Sequence, residues 1–351
     1  MKRYGNIFQN IHALSNIELA HKKARKGKAH YSDVKMINNN PEKLRDISRY
    51  LRTGVYSTSL YNIETINDRG KERQIFILPY FPDRIVQWAI MLQIQDIFLR
   101  TFIYDTYASI PKRGIHKAVK RVNKAIINGG EYCLKIDIKK YFPSIQQKIL
   151  CTQLERKFKD YRLLDLLFEI IYSIVIGVPI GNYLSQWLAN LHLAYFDHKV
   201  CNQFHLPYFR YMDDIVIFSD SKRQLWNILS FMRKELDKLQ LQVKENYQVF
   251  PAKVRGVDFL GYRCFGDYTL LRKKIANNIK RKIKTIKGKP TEAQINSMMS
   301  YKGWVQHCNS YRFHQKYINQ FVEVKNESRK NRTTRCNPDS HHRQECQSMA
   351  A

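Results

Sequence analysis

The hydrophobic period changes several times along the chain, and each change marks an element. Apolar residues at 115, 119, 122 and 126, with basic residues between them, predict a helix over 115–127. The segment EYCLKIDI at 131–138 alternates instead. Leu134, Ile136 and Ile138 share one strand face, and Cys133, Lys135 and Asp137 the other. Residues 146–176 read as helices. YFRYMDDIVIF at 208–218 reads as two short strands broken at Met212-Asp213-Asp214. Leu225, Ile228, Leu229, Met232, Leu236 and Leu239 predict an amphipathic helix over 221–242. A strand–turn–strand follows at 256–271, turning at Gly266-Asp267. Upstream, residues 54–79 pattern as a hairpin turning at Asn67-Asp68-Arg69-Gly70, and Asp83 is expected to cap the apolar helix that begins RIVQWAIMLQIQDIF. The first thirty residues hold an amphipathic stretch ending in HKKARKGK (21–28). Over 272–289, Ile275, Ile279, Ile283 and Ile286 give a helix one apolar face. Large apolar residues stop after Phe321, which predicts a disordered tail.

Charge changes this picture most. With 351 residues and 44% hydrophobic content, the chain can bury a real core. A net charge of +30 repels itself unless a polyanion is present, so nucleic acid is the first partner to expect and an anionic membrane the second. The basic residues are also concentrated. Lys22, Lys23, Arg25, Lys26 and Lys28 form one cluster, and nine Lys/Arg with no acid lie within 272–289, among them Lys280, Arg281 and Lys284. Both clusters are expected to contact phosphates. The uncharged window 170–191 has the length of a membrane span, but Gly177, Pro179, Gly181, Asn182, Ser185, Gln186 and Asn190 make it a poor one, and no membrane partner is expected. Seven scattered cysteines with no C-x-x-C pair, and an N-terminus without a signal-peptide apolar run, fit a reducing cytoplasm. The spacing of Cys336, His341, His342 and Cys346 fits no common zinc site.

Three carboxylates carry the candidate chemistry. Asp213 and Asp214 sit between two strands, and Asp137 lies on the polar face of a third. If those strands are neighbours, the acids converge and need a cation. Hard oxygen donors favour Mg²⁺, and a pair of such ions activates a hydroxyl and steadies a leaving pyrophosphate. Read alone, Asp-Asp is also an ordinary turn signal.

The surroundings decide between these readings by resemblance. Tyr211-Met212-Asp213-Asp214 between apolar strands resembles the catalytic box of reverse transcriptases. Its companions occur in order: LKIDIKKYF (134–142), GVPIGNYLSQWLAN (177–190), LQVKENYQVFP (241–251) and VDFLGY (257–262), with KARKGK and GKERQIFILPYFPDRIVQWAI upstream. The resemblance implies an α+β right-hand polymerase: an N-terminal segment and fingers over 1–130, a palm over 131–268 with 145–190 partly fingers, a basic helical thumb over 269–322 and a tail over 323–351. It implies an RNA-directed DNA polymerase using two Mg²⁺ ions, with Mn²⁺ able to substitute. Asp137, Asp213 and Asp214 would be catalytic and hold the metal with the backbone of Ile138. Lys71 and Arg73 would grip the triphosphate, and Phe142 would pack against the sugar. Ile180 and Gly181 would approach the nucleotide, Ser185 and Gln186 would line the template side, and Lys244 would lie near the leaving phosphates.

One departure points to a subfamily. Group II intron and most retroviral-type enzymes carry Gln-Gly and then Ser-Pro where this chain has Ile180-Gly181-Asn182-Tyr183-Leu184-Ser185-Gln186. That run resembles the I-G-x-x-x-S-Q signature of diversity-generating retroelement enzymes. Those copy a template-repeat RNA into cDNA with errors opposite adenine, replacing a variable repeat, and work with a small helical-bundle accessory protein. The alternatives are a retron, defence-associated or degenerate group II intron enzyme, or a non-catalytic RNA-binding relative.

Overall fold

The computed structural model describes residues 3–68 and 71–326. Among the described residues, ten strands lie among helices: β1 (Asn62–Asp68), β2 (Lys71–Ile77), β3 (Thr106–Tyr107), β4 (Tyr132–Asp137), β5 (Tyr208–Tyr211), β6 (Asp214–Ser219), β7 (Gln248–Pro251), β8 (Val257–Phe259), β9 (Tyr262–Cys264) and β10 (Thr269–Leu271). They form a β1–β2 hairpin, a five-stranded sheet ordered β3-β5-β6-β4-β7 and a three-stranded sheet ordered β10-β9-β8. The chain divides into two compact units. One comprises residues to Ala118 with Gly130–Phe250, and the other Val119–Gly129 with Pro251 onward.

The first unit is organised around the helix Ile85–Thr101. Its sequence is apolar on nearly every side, as expected of a helix surrounded by protein. Ile85, Val86, Ala89, Ile90, Met91, Ile94 and Phe98 are all fully buried. Each large side chain of this kind stabilises by about 1.5–3 kcal/mol relative to exposure. Helices Leu14–Ala24 and Tyr183–Phe204 pack on it. Trp187 from the latter lies against the Phe98 and Phe102 rings. One face of the five-stranded sheet, with Leu134, Ile136, Ile215 and Ile217, belongs to the same core as Leu225, Ile228 and Met232 of the helix Lys222–Asp237.

Several expected elements occur with changed limits. The helix Ile115–Ile127 and the interruption between β5 and β6 lie where the periodicity puts them. The hairpin strands cover only 62–68 and 71–77, and residues 54–61 precede them as loop. Asp83 does not cap the following helix. It is fully buried, and its carboxylate accepts hydrogen bonds from Tyr56 Oη (2.9 Å) and Ser59 N (3.1 Å), tying that loop down. Burial, then the Asp83 charge, raises the Tyr56 pKa far above its ordinary value. The helix expected to reach residue 242 stops at Asp237 because Gln240 turns left-handed (φ +56°) and Leu241 N closes onto Leu236 O at 3.0 Å.

In the second unit, 256–271 holds three strands rather than two. The extra turn is at Leu260-Gly261, where φ is positive at both residues and a Cβ on Gly261 would lie 2.4 Å from the Trp304 ring. The basic helix runs Lys273–Lys284, and buried Ile279 joins a core with Ile295, Met298, Val305, Ile318 and Phe321. Residues 319–326 are helical, and Val322 and Val324 pack on that core, so order extends past the expected start of the tail. The remaining tail, with Cys336, His341, His342 and Cys346, lies outside the described residues. Among the described residues, no helix is long and apolar enough to cross a membrane.

The first unit also carries a titration cost. His192 is fully enclosed, with Nδ1 3.2 Å from Gln153 Oε1, and burial pushes its pKa down to about 4. A histidine depressed in the folded state contributes stability that is present above its unfolded pKa, near 6.5, and is lost as pH falls toward the folded value. The expected penalty at full protonation is about 3 kcal/mol. Denaturant unfolding between pH 7 and pH 4 should therefore lose about one proton's slope more in the wild type than in His192→Gln; parallel curves would contradict this.

Candidate active site

Strand register brings the acids together. In the antiparallel β4–β6 pair Asp137 lies directly opposite Asp214, and residues so paired project from the same face. Asp213 occupies the β5–β6 turn, after Met212 in a left-handed conformation (φ +54°). Ile138 continues β4 and donates its N–H to Asp213 O at 3.3 Å. On the other side of β4, Lys139 N bonds Gln242 O and Lys244 N bonds Asp137 O, both at 2.8 Å. Lys244 is thereby delivered to the acids. Its Nζ lies 3.5 Å from Asp137 Oδ2 and 3.9 Å from Asp213 Oδ2.

The convergence of three acids is met in part. Asp137 and Asp213 share the Lys244 ammonium, whereas Asp214 is drawn 3.6 Å from Lys135 Nζ. Among the described residues, no three His, Cys, Asp or Glu side chains gather as a preformed metal cage. The physical reason is mutual repulsion: like charges about 4 Å apart cost about 4 kcal/mol at an effective dielectric of about 20. The lysines neutralise what a cation would otherwise neutralise. Burial, and then the neighbouring Asp137 charge, raises the Asp213 pKa; its backbone hydrogen bond, Lys244 and Arg73 oppose that rise. The donor set fits a hard divalent cation: carboxylate oxygens, those of Asp213 raised in pKa by burial and by Asp137, beside the backbone of Ile138, with lysine ammonium groups close by.

A hydrogen-bonded frame links the other expected nucleotide-side residues. Arg73 is exposed on β2, opposite Ile66, and its charge reaches Asp213. Phe76 N on the same strand donates to Ile180 O at 2.8 Å. Gly181 has φ +118°, and a Cβ there would lie 2.7 Å from Phe76 O, so this approach requires glycine. Asn182 Nδ2 donates to Tyr61 Oη (3.1 Å), which lies 2.8 Å from Ser173 Oγ. Gly177 has φ +73° and sits directly on the Phe142 backbone, while Val178 N bonds Phe142 O. The half-buried Phe142 ring packs edge-on to Tyr141. Ser185 is buried within the helix Tyr183–Phe204, and Gln186 accepts a hydrogen bond from Ser109 Oγ. The Lys71 side chain lies outside the described residues.

The basic clusters lie on or just after other helices. In the first unit, Lys22, Lys23, Arg25 and Lys26 rim a concavity of about 610 Å³ over Leu19. His21 from the same run points inward, with Nδ1 2.9 Å from Tyr80 Oη. In the second unit, Lys280, Arg281 and Lys284 are exposed on their helix. Sequence reading did not assign a site role to Lys135. Its signal was available: it lies two residues before Asp137, on the same strand face.

The sequence model described as reverse transcriptase (RNA-dependent DNA polymerase) matches residues 64–264, which contain all of these acids. The chain belongs to the reverse transcriptase family. The Escherichia coli protein YkfC is 26% identical, over 62% of this chain and 68% of that protein. The group II intron-encoded protein LtrA of Lactococcus lactis is 23% identical over 58% of this chain, and the match spans 35% of LtrA. The solved structure of apo telomerase from Candida tropicalis superposes with a TM-score of 0.52 at 11% identity, covering 80% of this chain and 59% of that one. That likeness concerns the fold, which is the right-hand α+β polymerase. If Asp213 is a metal ligand, this reverse transcriptase should lose at least about a thousandfold in dNTP incorporation on Asp213→Asn, because an amide lacks the charge needed to hold a divalent ion. RNA affinity measured in parallel should stay near wild type; incorporation within about tenfold of wild type would contradict the assignment.

Proposed function

We propose that this reverse transcriptase extends a DNA primer on an RNA template, with Asp137, Asp213 and Asp214 as the metal-binding acids. The primer 3′-hydroxyl gives its proton to water and its oxygen bonds to the α-phosphorus of a dNTP, while the α–β phosphoanhydride bond breaks and pyrophosphate departs. Divalent ions bound to the acids would lower the pKa of the 3′-hydroxyl and stabilise charge on the leaving group. Arg73 supplies a guanidinium fork for the triphosphate. Lys244 gives up its place between Asp137 and Asp213 and turns its ammonium to the leaving phosphates. Phe142 sets the space beside the sugar, and Ile180-Gly181 the space beside the base pair. The fingers, palm and thumb divide near residues 130 and 268, and Lys22, Lys23, Arg25, Lys26, Lys28, Lys280, Arg281 and Lys284 neutralise template and product phosphates.

We further propose that the template is a template-repeat RNA and the product a cDNA mutagenised at adenines, as in a diversity-generating retroelement. An accessory helical-bundle protein would assist in the cytoplasm. The run Ile180-Gly181-Asn182-Tyr183-Leu184-Ser185-Gln186 supports this reading. Ile180 has no side-chain donor or acceptor to penalise a poorly seated pair, and its backbone is fixed to β2, the strand of Arg73. Similarity to LtrA and YkfC favours the second reading, another bacterial reverse transcriptase class.

Error spectra of RNA-templated extension separate the two. The retroelement reading expects wild-type errors concentrated opposite template adenine. Ile180→Gln restores a polar brace worth about 0.5–1.5 kcal/mol, so it should cut those errors by about 2–13-fold. An accurate wild type, or a variant that keeps activity with an unchanged spectrum, would contradict it.

A further inference from the structure

We propose that Arg210 and Asn190 form a positioning pair that aims the catalytic turn, so that the buried polar cluster behind β5 sets metal affinity at Asp213. This rests on Asp213 being a metal ligand. Arg210 lies three residues before Asp213 and is fully buried. A guanidinium in that position is tolerated only when its donors are paired. Two arms face Asp197: Nε lies 2.8 and 2.9 Å from its two oxygens, and Nη2 lies 2.6 Å from Oδ2. Asp197 also accepts from Tyr208 Oη at 2.7 Å and Thr106 Oγ1 at 3.4 Å. A purely structural ion pair would be complete there.

The remaining arm does something else. Arg210 Nη1 donates to Met212 O at 3.1 Å and to Asn190 Oδ1 at 3.1 Å. Met212 is the left-handed residue of the turn, a conformation that persists in a non-glycine residue only where its surroundings hold it. Its carbonyl shares a rigid peptide plane with the N–H of Asp213. Holding Met212 O therefore fixes the peptide from which the Asp213 side chain departs. Arg210 acts on the reacting groups through this plane and touches none of them.

Asn190 makes the brace two-sided. Its backbone O accepts from Arg210 Nη2 at 3.3 Å, and its Nδ2 donates to Ala108 O at 3.1 Å. Ala108 and Ser109 are themselves consecutive left-handed residues (φ +77° and +56°). Ser109 bonds Gln186, one helical turn before Asn190. One amide thus joins two strained segments, the catalytic turn and the 108–109 turn, and the geometry of each is set by the same buried group.

The test compares Arg210→Lys, Asn190→Ala and Tyr208→Phe at matched distance below each variant's melting temperature. Lysine keeps the charge for Asp197 but loses the planar fork that reaches Met212 O. Alanine at 190 leaves the Arg210–Asp197 pair intact. Tyr208→Phe removes a hydrogen bond from the same cluster without touching the turn. Mn²⁺ binding is followed by electron paramagnetic resonance, with Asp213→Asn defining background, and kcat by primer extension. Arg210→Lys and Asn190→Ala should weaken Mn²⁺ binding and kcat by about 10–100-fold each, with RNA affinity unchanged, while Tyr208→Phe lowers only the melting temperature. Effects within about twofold of wild type in Asn190→Ala, or a Tyr208→Phe effect as large as that of Arg210→Lys, would overturn the proposal; if Arg210→Lys does not fold, Asn190→Ala alone decides by the same limit. Asp213→Asn that binds Mn²⁺ like wild type would instead overturn the metal-ligand reading, and this inference with it.

Discussion

The sharing of one ammonium by Asp137 and Asp213 is the interaction around which the catalytic unit is arranged. Strand pairing brings the carboxylates to one end of the paired strands β4 and β6, and their repulsion must be offset in every state of the molecule. Here Lys244 does so at 3.5 and 3.9 Å, and Lys135 does so for Asp214. Both lysines are held by the sheet that creates the repulsion: Lys135 is part of β4, and Lys244 bonds the Asp137 backbone. A divalent ion bound there would have to displace the Lys244 ammonium from between Asp137 and Asp213.

Two supports keep those strand ends in register. From below, the helix Lys222–Asp237 and the buried faces of β4 and β6 fix the strand pair. From the side, the 177–182 loop is fastened to β2 through Phe76 and to the Phe142 backbone through Gly177 and Val178. The residues proposed to surround the nucleotide therefore sit on backbone that is itself hydrogen-bonded, which suits positioning better than mobile side chains would.

Much of this was legible in the sequence, for local reasons. Alternation across 131–138 and the interrupted run at 208–218 are period-two signals, and the acids fall where those signals stop. Their meeting was conditional on strand adjacency, which register then supplied. What sequence did not reveal depends on distant partners. Asp83 reads as a cap from its neighbours but is claimed by Tyr56 and Ser59. Gly261 reads as part of a strand until the Trp304 ring lies against it. The burial of Arg210 depends on Asp197 and Asn190, which come from a helix whose facing direction the sequence does not state. That Asp214 pairs with Lys135 while Asp137 and Asp213 share Lys244 likewise follows from where two lysines lie.

We propose that Lys244 holds a place that a divalent ion takes over during synthesis. Anomalous diffraction from crystals of the protein with RNA template, DNA primer, dNTP and Mn²⁺ tests it directly. Anomalous density is expected about 2 Å from carboxylate oxygens of both Asp137 and Asp213, with the Lys244 ammonium displaced from between them. Metal density elsewhere, with Lys244 still bridging the two carboxylates, would contradict it.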